Sequence, residues 1–179
     1  MYTKFFKKTP VIIFLFFLSL NLNVNYVFAI PTLDKIINDL SNEYKFTEIE
    51  PKELNDLLKI NQVNDYLIFD VRERDEYQIS HLKNSIWIDP DLDADEFFNL
   101  FSDKIKGKKL IFYCSVGYRS SKMIKKIKSF SKITNEKYNL KGGIFKWFNM
   151  GFKLYDLNGV TKKIHPYNKR WSKLLKPLN

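Results

Sequence analysis

The chain of 179 residues contains one cysteine and two histidines. A single cysteine excludes an intramolecular disulfide framework, a CxxC redox pair and a cysteine-based zinc site. His81 and His165 stand far apart in sequence and leave little for a histidine metal cluster. Acidic residues are missing from both ends. Residues 1–29 hold Lys4, Lys7 and Lys8 with no acid, and residues 157–179 hold six basic side chains with none. The net charge of +10 therefore belongs to the ends, because residues 30–156 carry 21 basic and 20 acidic side chains. A near-neutral body has no strong electrostatic preference for a polyanion, so nucleic acid is not an expected partner. A mean hydropathy of −0.32 excludes a polytopic membrane protein. No internal repeat and no low-complexity segment interrupts the chain, and its length fits one domain.

The first thirty residues read as an address. Lys4, Lys7 and Lys8 form a basic region, Val11–Leu20 is apolar except for Ser19, and Val27-Phe28-Ala29 offers a cleavage site after Ala29. This is the layout of a signal peptide, and it predicts export to a periplasm or equivalent compartment. The competing layout is an uncleaved anchor. Ser19, Asn21, Asn23 and Asn25 leave that reading short of the roughly 20 mostly apolar residues a spanning helix needs. In an oxidising compartment the unpartnered Cys114 is either buried and inert or kept free for chemistry.

Leu33, Ile36, Ile37 and Leu40 have the spacing of an amphipathic helix within 31–44. A short strand is expected over 46–49, followed by a helix opened by Pro51. Tyr66–Val71 (YLIFDV) and Leu110–Tyr113 (LIFY) are apolar runs of strand length, as strands covered on both faces show. Helices are expected over 72–79, 94–101 (burying Phe97, Phe98 and Phe101), 120–130 and 144–150, with strands over 85–88 and 137–140. Strands alternating with helices predict an α/β fold with a largely parallel sheet. The resulting division is a signal peptide at 1–29, a helical lead-in at 30–45, an α/β domain at 46–155 and a basic, aromatic tail at 156–179.

The most informative stretch is Cys114-Ser115-Val116-Gly117-Tyr118-Arg119-Ser120. A buried strand delivers the cysteine to its C-terminal end, a loop containing Gly117 follows, and a helix begins near Ser120. In open α/β sheets this edge is where ligands bind. Backbone N–H groups of such a loop, together with a helix N-terminus, form an anion nest that favours a thiolate. Arg119 would stabilise that thiolate and an incoming oxyanion. The bland alternative is a cysteine that merely ends a core strand. Cys, Gly and Arg together at one strand-to-helix junction favour the functional reading.

These residues resemble the rhodanese family, and the resemblance extends beyond the loop. Cys114–Ser120 fits the family's CxxGxRS pattern, and Asp70-Val71-Arg72 resembles its DVR-type motif. Glu76-Tyr77 with Ser80-His81-Leu82 resembles its helix followed by Gly-His-Ile, and Leu140-Lys141-Gly142-Gly143 with Trp147 and Gly151 fits its LxGGxxxWxxxG. The chain departs from the family at Ser80, Lys83, Asn84 and Ser85, where Gly-His-Ile-Pro-Gly-Ala is usual. The resemblance implies a mostly parallel five-stranded sheet flanked by helices. The cysteine-dependent phosphatases and arsenate reductases that resemble this fold or its loop have C-x5-R. Cys114 to Arg119 is the shorter C-x4-R, which fits a persulfide better than a tetrahedral phosphate.

What the resemblance implies is a single-domain sulfurtransferase. Cys114 takes sulfane sulfur from a small donor such as thiosulfate as a persulfide and passes it to a thiol or cyanide acceptor, with no metal or cofactor. Cys114 and Arg119 are the expected catalytic pair, and Ser115, Val116, Gly117, Tyr118 and Ser120 the loop that holds the donor. Asp70 and Arg72 are expected to brace the loop by hydrogen bonds, with a plain ion pair as the alternative. His81 is expected to satisfy backbone groups beside a turn, with substrate polarisation as the alternative. Trp147 and the glycines beside it read as packing. Ser115 and Ser120 come with no nucleophile-elbow motif for serine chemistry. The second functional class is a sulfur-carrier or protein-binding module that turns over poorly on small donors. The tail, lying beyond the resemblance, could meet a protein partner or an anionic membrane surface. The preferred reading is a strap in which Ile164, Tyr167, Trp171 and Leu175 cover the domain.

Overall fold

The computed structural model describes residues 31–60 and 62–177. The expected signal peptide and its cleavage after Ala29 lie outside the described residues. Among the described residues no helix is long and apolar enough to cross a membrane.

Five parallel strands form the central sheet: β1 (Glu48–Ile49), β2 (Tyr66–Asp70), β3 (Ser85–Trp87), β4 (Lys109–Tyr113) and β5 (Lys137–Leu140), in the order β1-β5-β4-β2-β3. The helices are α1 (Leu33–Tyr44), α2 (Pro51–Lys59), α3 (Arg74–Ile79), α4 (Ala94–Phe101), α5 (Tyr118–Lys128) and α6 (Gly143–Asn149). The expected α/β architecture is therefore present. An antiparallel hairpin, β6 (Leu154–Asp156) and β7 (Gly159–Thr161), follows α6 and has no counterpart in the sequence reading. Its three-residue strands are too short for a readable alternation.

The continuous apolar runs of β2 and β4 arise because both faces of the sheet are covered. Alternate residues point to opposite sides. Ile68, Ile111 and Tyr113 meet Leu54, Phe145 and Trp147 on one side, with α2 and α6. Phe69, Val71, Leu110 and Phe112 meet Phe97, Phe101, Met123, Ile124 and Ile127 on the other, with α4 and α5. Phe69 is the centre of this second cluster. Its ring stacks on Phe112 at 5.1 Å and meets Phe97 and Phe101 edge-on at 5.2 Å each. Phe98, expected inside, is only half-buried and lies against Phe130 and Lys132.

Helix α3 starts two residues later than the periodicity suggests, because Arg72 is committed elsewhere. Its guanidinium is fully buried and pairs with Asp70 at 2.6 Å while donating to the Ser80 carbonyl at 2.6 Å. The turn that departs from the family pattern closes without difficulty. Asn84 takes φ 61°, a left-handed position that asparagine tolerates better than most residues. Ser80 is extended (φ −171°), a conformation open to any residue.

Because Phe69 packs against three other rings, Phe69→Ala is expected to lower unfolding free energy by about 3–5 kcal/mol. Chemical denaturation of the two proteins measures this directly, and a loss below about 1 kcal/mol would contradict the packing described.

Candidate functional site

Strand β4 ends on Cys114, at the C-terminal edge of the sheet. The next residues turn through Gly117 (φ 109°) into α5, whose first intrahelical bond is Ser121 N–H to the Gly117 carbonyl. The amides of Tyr118, Arg119 and Ser120 therefore have no helical carbonyl partner. The Gly117 N–H donates to Cys114 Sγ at 3.2 Å. Ser120 Oγ lies 3.7 Å from the same sulfur, 2.7 Å from Asn139 Oδ1 and 3.1 Å from the Gly117 carbonyl. Its single proton serves one of these three at a time. The sulfur is thus nearly closed off within the fold, with Cys114 1% exposed.

Arg119 is held by Glu76. Its Nη1 and Nη2 donate to the two carboxylate oxygens at 2.6 and 3.0 Å, and Nη2 also donates to Ser115 Oγ at 2.9 Å. Ser115 Oγ in turn donates to Glu76 Oε1 at 2.8 Å, and the Glu73 N–H donates to Oε2 at 3.1 Å. Glu73 adds a second carboxylate 3.5 Å from Arg119. Burial works against the charge on both partners, yet the hydrogen bonds win. Glu76 is held below the usual carboxylate range by Arg119 and Ser115, and Arg119 is held firmly protonated by Glu76 and Glu73.

The loop is also held from behind. The first amides of α6 bond its carbonyls, Ile144 N–H to Cys114 O at 2.9 Å and Phe145 N–H to Ser115 O at 3.0 Å. This approach explains Gly143. At φ 57°, a Cβ there would lie 2.3 Å from the Cys114 carbonyl oxygen and 2.8 Å from Ser115 backbone atoms. Gly143 therefore does more than permit a turn, since it lets one backbone lie directly on another.

A cavity of about 480 Å³ opens above the loop. Cys114, Ser115, Val116, Tyr118 and Arg119 form its floor, and Ile36, Leu40, Tyr167 and Trp171 its walls. The structure thus brings together most of the loop residues singled out in the sequence. Gly117 and Ser120 lie beneath, on the sulfur.

The supporting residues are placed differently. Asp70 and Arg72 pair with each other and reach Ser80 rather than the loop, so the expected bracing role passes to Glu76. His81 turns its Nδ1 to the Tyr77 carbonyl at 3.1 Å, stacks on the Tyr77 ring at 4.2 Å and bridges to Tyr155 through its backbone. Its Nδ1 and its own main chain are thus engaged with backbone groups of Tyr77 and Tyr155. Glu76 and Asn139 had been assigned no role. An asparagine inside a strand was the one signal available for Asn139, since that residue type is depleted in strands.

A profile of the rhodanese-like domain matches residues 50–150, more than half of the chain. The chain belongs to the rhodanese-like domain family. The rhodanese-like chain is similar to the tRNA uridine(34) hydroxylase of Rickettsia rickettsii, with 26% identity over 151 residues covering 75% of this chain and 58% of that protein. The namesake from Rickettsia massiliae matches to the same extent. The chain thus spans little more than half the length of these curated relatives. Among solved structures, it is similar to the thiosulfate sulfurtransferase of Pseudomonas aeruginosa, with a TM-score of 0.54 and 18% identity over 79% of this chain and 26% of that one. The As-Sb reductase of Leishmania major gives a TM-score of 0.51 and 22% identity over 59% of this chain and 78% of that one. At these identities the likeness is one of fold.

Two outcomes test the loop's supports. Gly143→Ala is expected to force the Cys114 carbonyl away from α6, because a Cβ there would lie 2.3 Å from its oxygen. The added strain should also lower stability by about 1–3 kcal/mol. For Glu76, a carboxylate lowered in the folded state stabilises the fold above its unfolded value of 4.5. That contribution disappears as pH falls through the lower folded value. Glu76→Gln should therefore flatten the acid limb of stability against pH, which in the wild type falls by up to about 1.4 kcal/mol per pH unit from this one group. Unfolding curves recorded at a series of pH values would show an unchanged slope if Glu76 were uncoupled from Arg119.

Proposed function

We propose that this chain is an exported sulfurtransferase that takes sulfane sulfur from a donor such as thiosulfate onto Cys114 and passes it to a thiophilic acceptor. One observation carries the reading. The chain's one cysteine sits at the C-terminal end of a central strand, its sulfur receives the Gly117 N–H at 3.2 Å, and it shares a cavity with Arg119. A nucleophile so placed has a donor for its negative charge and room for a partner.

In the first half-reaction the Cys114 thiolate attacks the outer sulfur of thiosulfate. A Cys114–sulfur bond forms, the sulfur–sulfur bond of the donor breaks, and its electron pair leaves with sulfite. Arg119 and the free amides at the start of α5 are the groups available to the departing anion. Three hydrogen bonds use three of the five N–H donors of Arg119, so the guanidinium keeps donors for a ligand. In the second half a thiol or cyanide attacks the terminal sulfur of the persulfide and regenerates the Cys114 thiolate. Export rests on the signal-peptide layout of residues 1–29, and it would give a mature chain starting at Ile30.

The measurement is intact mass of the purified protein before and after thiosulfate, then after cyanide, beside Cys114→Ser. A gain of one sulfur atom that needs Cys114 and is discharged by cyanide is expected, with repeated cycling under steady-state conditions. Loading without cycling would point to a sulfur carrier. No gain with any sulfane donor, while the thiol still reacts with an alkylating reagent, would sink the sulfurtransferase reading.

A further inference from the structure

The walls of the cavity come from outside the family domain. Helix α1 contributes Ile36 and Leu40, and the C-terminal segment contributes Tyr167 and Trp171. All four lie beyond residues 50–150. The contact with the loop is direct: Leu40 Cδ1 lies 3.7 Å from where a Cβ on Gly117 would stand, and Tyr44 meets Tyr118 edge-on at 6.5 Å. The tail is held there at a cost. Tyr167 has φ 65°, unusual for an aromatic residue, with its N–H on His165 Nδ1 at 3.1 Å and its ring edge-on to Trp171 at 6.3 Å. The ring lies 5.2 Å from the Arg119 guanidinium carbon. Behind it, Leu174 is buried and Trp171, Ile164 and Leu175 pack on the core, so the placement is anchored.

The charges of this space matter as much as its walls. Among the described residues no lysine lines it, and its one guanidinium already faces Glu76 on both oxygens and Glu73 at 3.5 Å. A dianion entering would exchange hydration for aliphatic and aromatic walls and a cation already matched by two carboxylates. A donor with a single charge and an apolar body would bury that body against Ile36, Leu40 and Trp171 and gain from doing so.

We propose that α1 and the tail make this cavity a receptor for an organic sulfane-sulfur donor bearing an aromatic or apolar group and one negative charge, in preference to thiosulfate. The inference rests on the sulfurtransferase reading and names its substrate class. For an organic thiosulfonate the step balances without oxidant or reductant. The Cys114 thiolate attacks the terminal sulfur, a Cys114–sulfur bond forms, the sulfur–sulfur bond breaks, and its electron pair leaves with the sulfinate.

The test uses the purified protein and three probes: benzenethiosulfonate, methanethiosulfonate and thiosulfate. The first two share the reacting unit and the charge and differ only in the group that would meet the walls. Single-turnover loading of Cys114 is followed by intact mass, and each rate constant is divided by that of free cysteine with the same probe. The corrected preference for phenyl over methyl is expected to reach about tenfold or more, the scale of burying one ring. It should collapse towards one in Trp171→Ala and in Leu40→Ala, which alter two separate segments, so failure of one to fold leaves the other. Corrected ratios near one in the wild type, with Cys114 still loading from all three probes, would overturn the inference and leave the sulfurtransferase reading standing. No loading from any probe would overturn both.

Discussion

The arrangement around Cys114 depends on one carboxylate. Glu76 is 1% exposed, and an ionised group at that depth must be fully matched or it will not stay charged. Its partners are two N–H groups of Arg119, the Ser115 hydroxyl and the Glu73 amide, and each belongs to a different structural task. The Glu73 amide fixes the start of α3, Ser115 fixes the turn after the strand, and Arg119 fixes the first turn of α5. Satisfying one buried charge therefore ties two helices and a loop into a single geometry. Buried ion pairs are poor evidence of net stability. Their better-supported use is to select one arrangement over its neighbours, and here that arrangement fixes the orientation of a guanidinium beside a sulfur.

A second constraint, purely steric, comes from the other side of the loop. The amides that open α6 reach the Cys114 and Ser115 carbonyls only because Gly143 has no side chain. With those carbonyls turned towards α6, the loop's own amides are released to face the opposite way, and one of them, from Gly117, finds the sulfur. The same backbone thus accepts hydrogen bonds on one side and donates on the other. Asn139 completes the support from β5 by bonding Ser120, Ser121 and the Gly117 carbonyl. The loop that carries the sulfur is thus held from three sides, by Glu76, by the amides of α6 and by Asn139.

This division explains what could be read in advance. The strands β2 and β4 were legible because a sheet covered on both faces imposes continuous apolar runs, and α5 because Met123, Ile124 and Ile127 repeat at helical spacing. The loop was legible because cysteine, glycine and arginine are each costly or unusual choices that coincide at one junction. For Asp70 and Arg72 the sequence left loop bracing and a plain ion pair both open, since proximity to the sheet edge does not say which neighbour a guanidinium will choose. Arg72 chose the carboxylate two residues away and the Ser80 carbonyl. Glu76 was noticed only as part of a motif and given no role, because nothing in its neighbours Arg74, Asp75 and Tyr77 says that it is buried. Only the packing of α3 against the loop, a contact across 39 residues to Ser115, shows it.

The apolar residues of α1 and the tail were legible as buried, but not as to what they cover. Amphipathic spacing states that a face needs an apolar partner and is silent on which one. Ile37, at the centre of the α1 face, is buried and reaches Gly142, whereas Ile36 and Leu40 on its flank overhang the sulfur. One helix therefore does two things with adjacent side chains: it anchors on the glycine pair that opens α6, and it walls the space above the cysteine. A family domain can keep its loop chemistry unchanged while segments outside it reshape what reaches the loop. Here those segments, α1 and the tail, wall the space above the cysteine at the edge of the sheet.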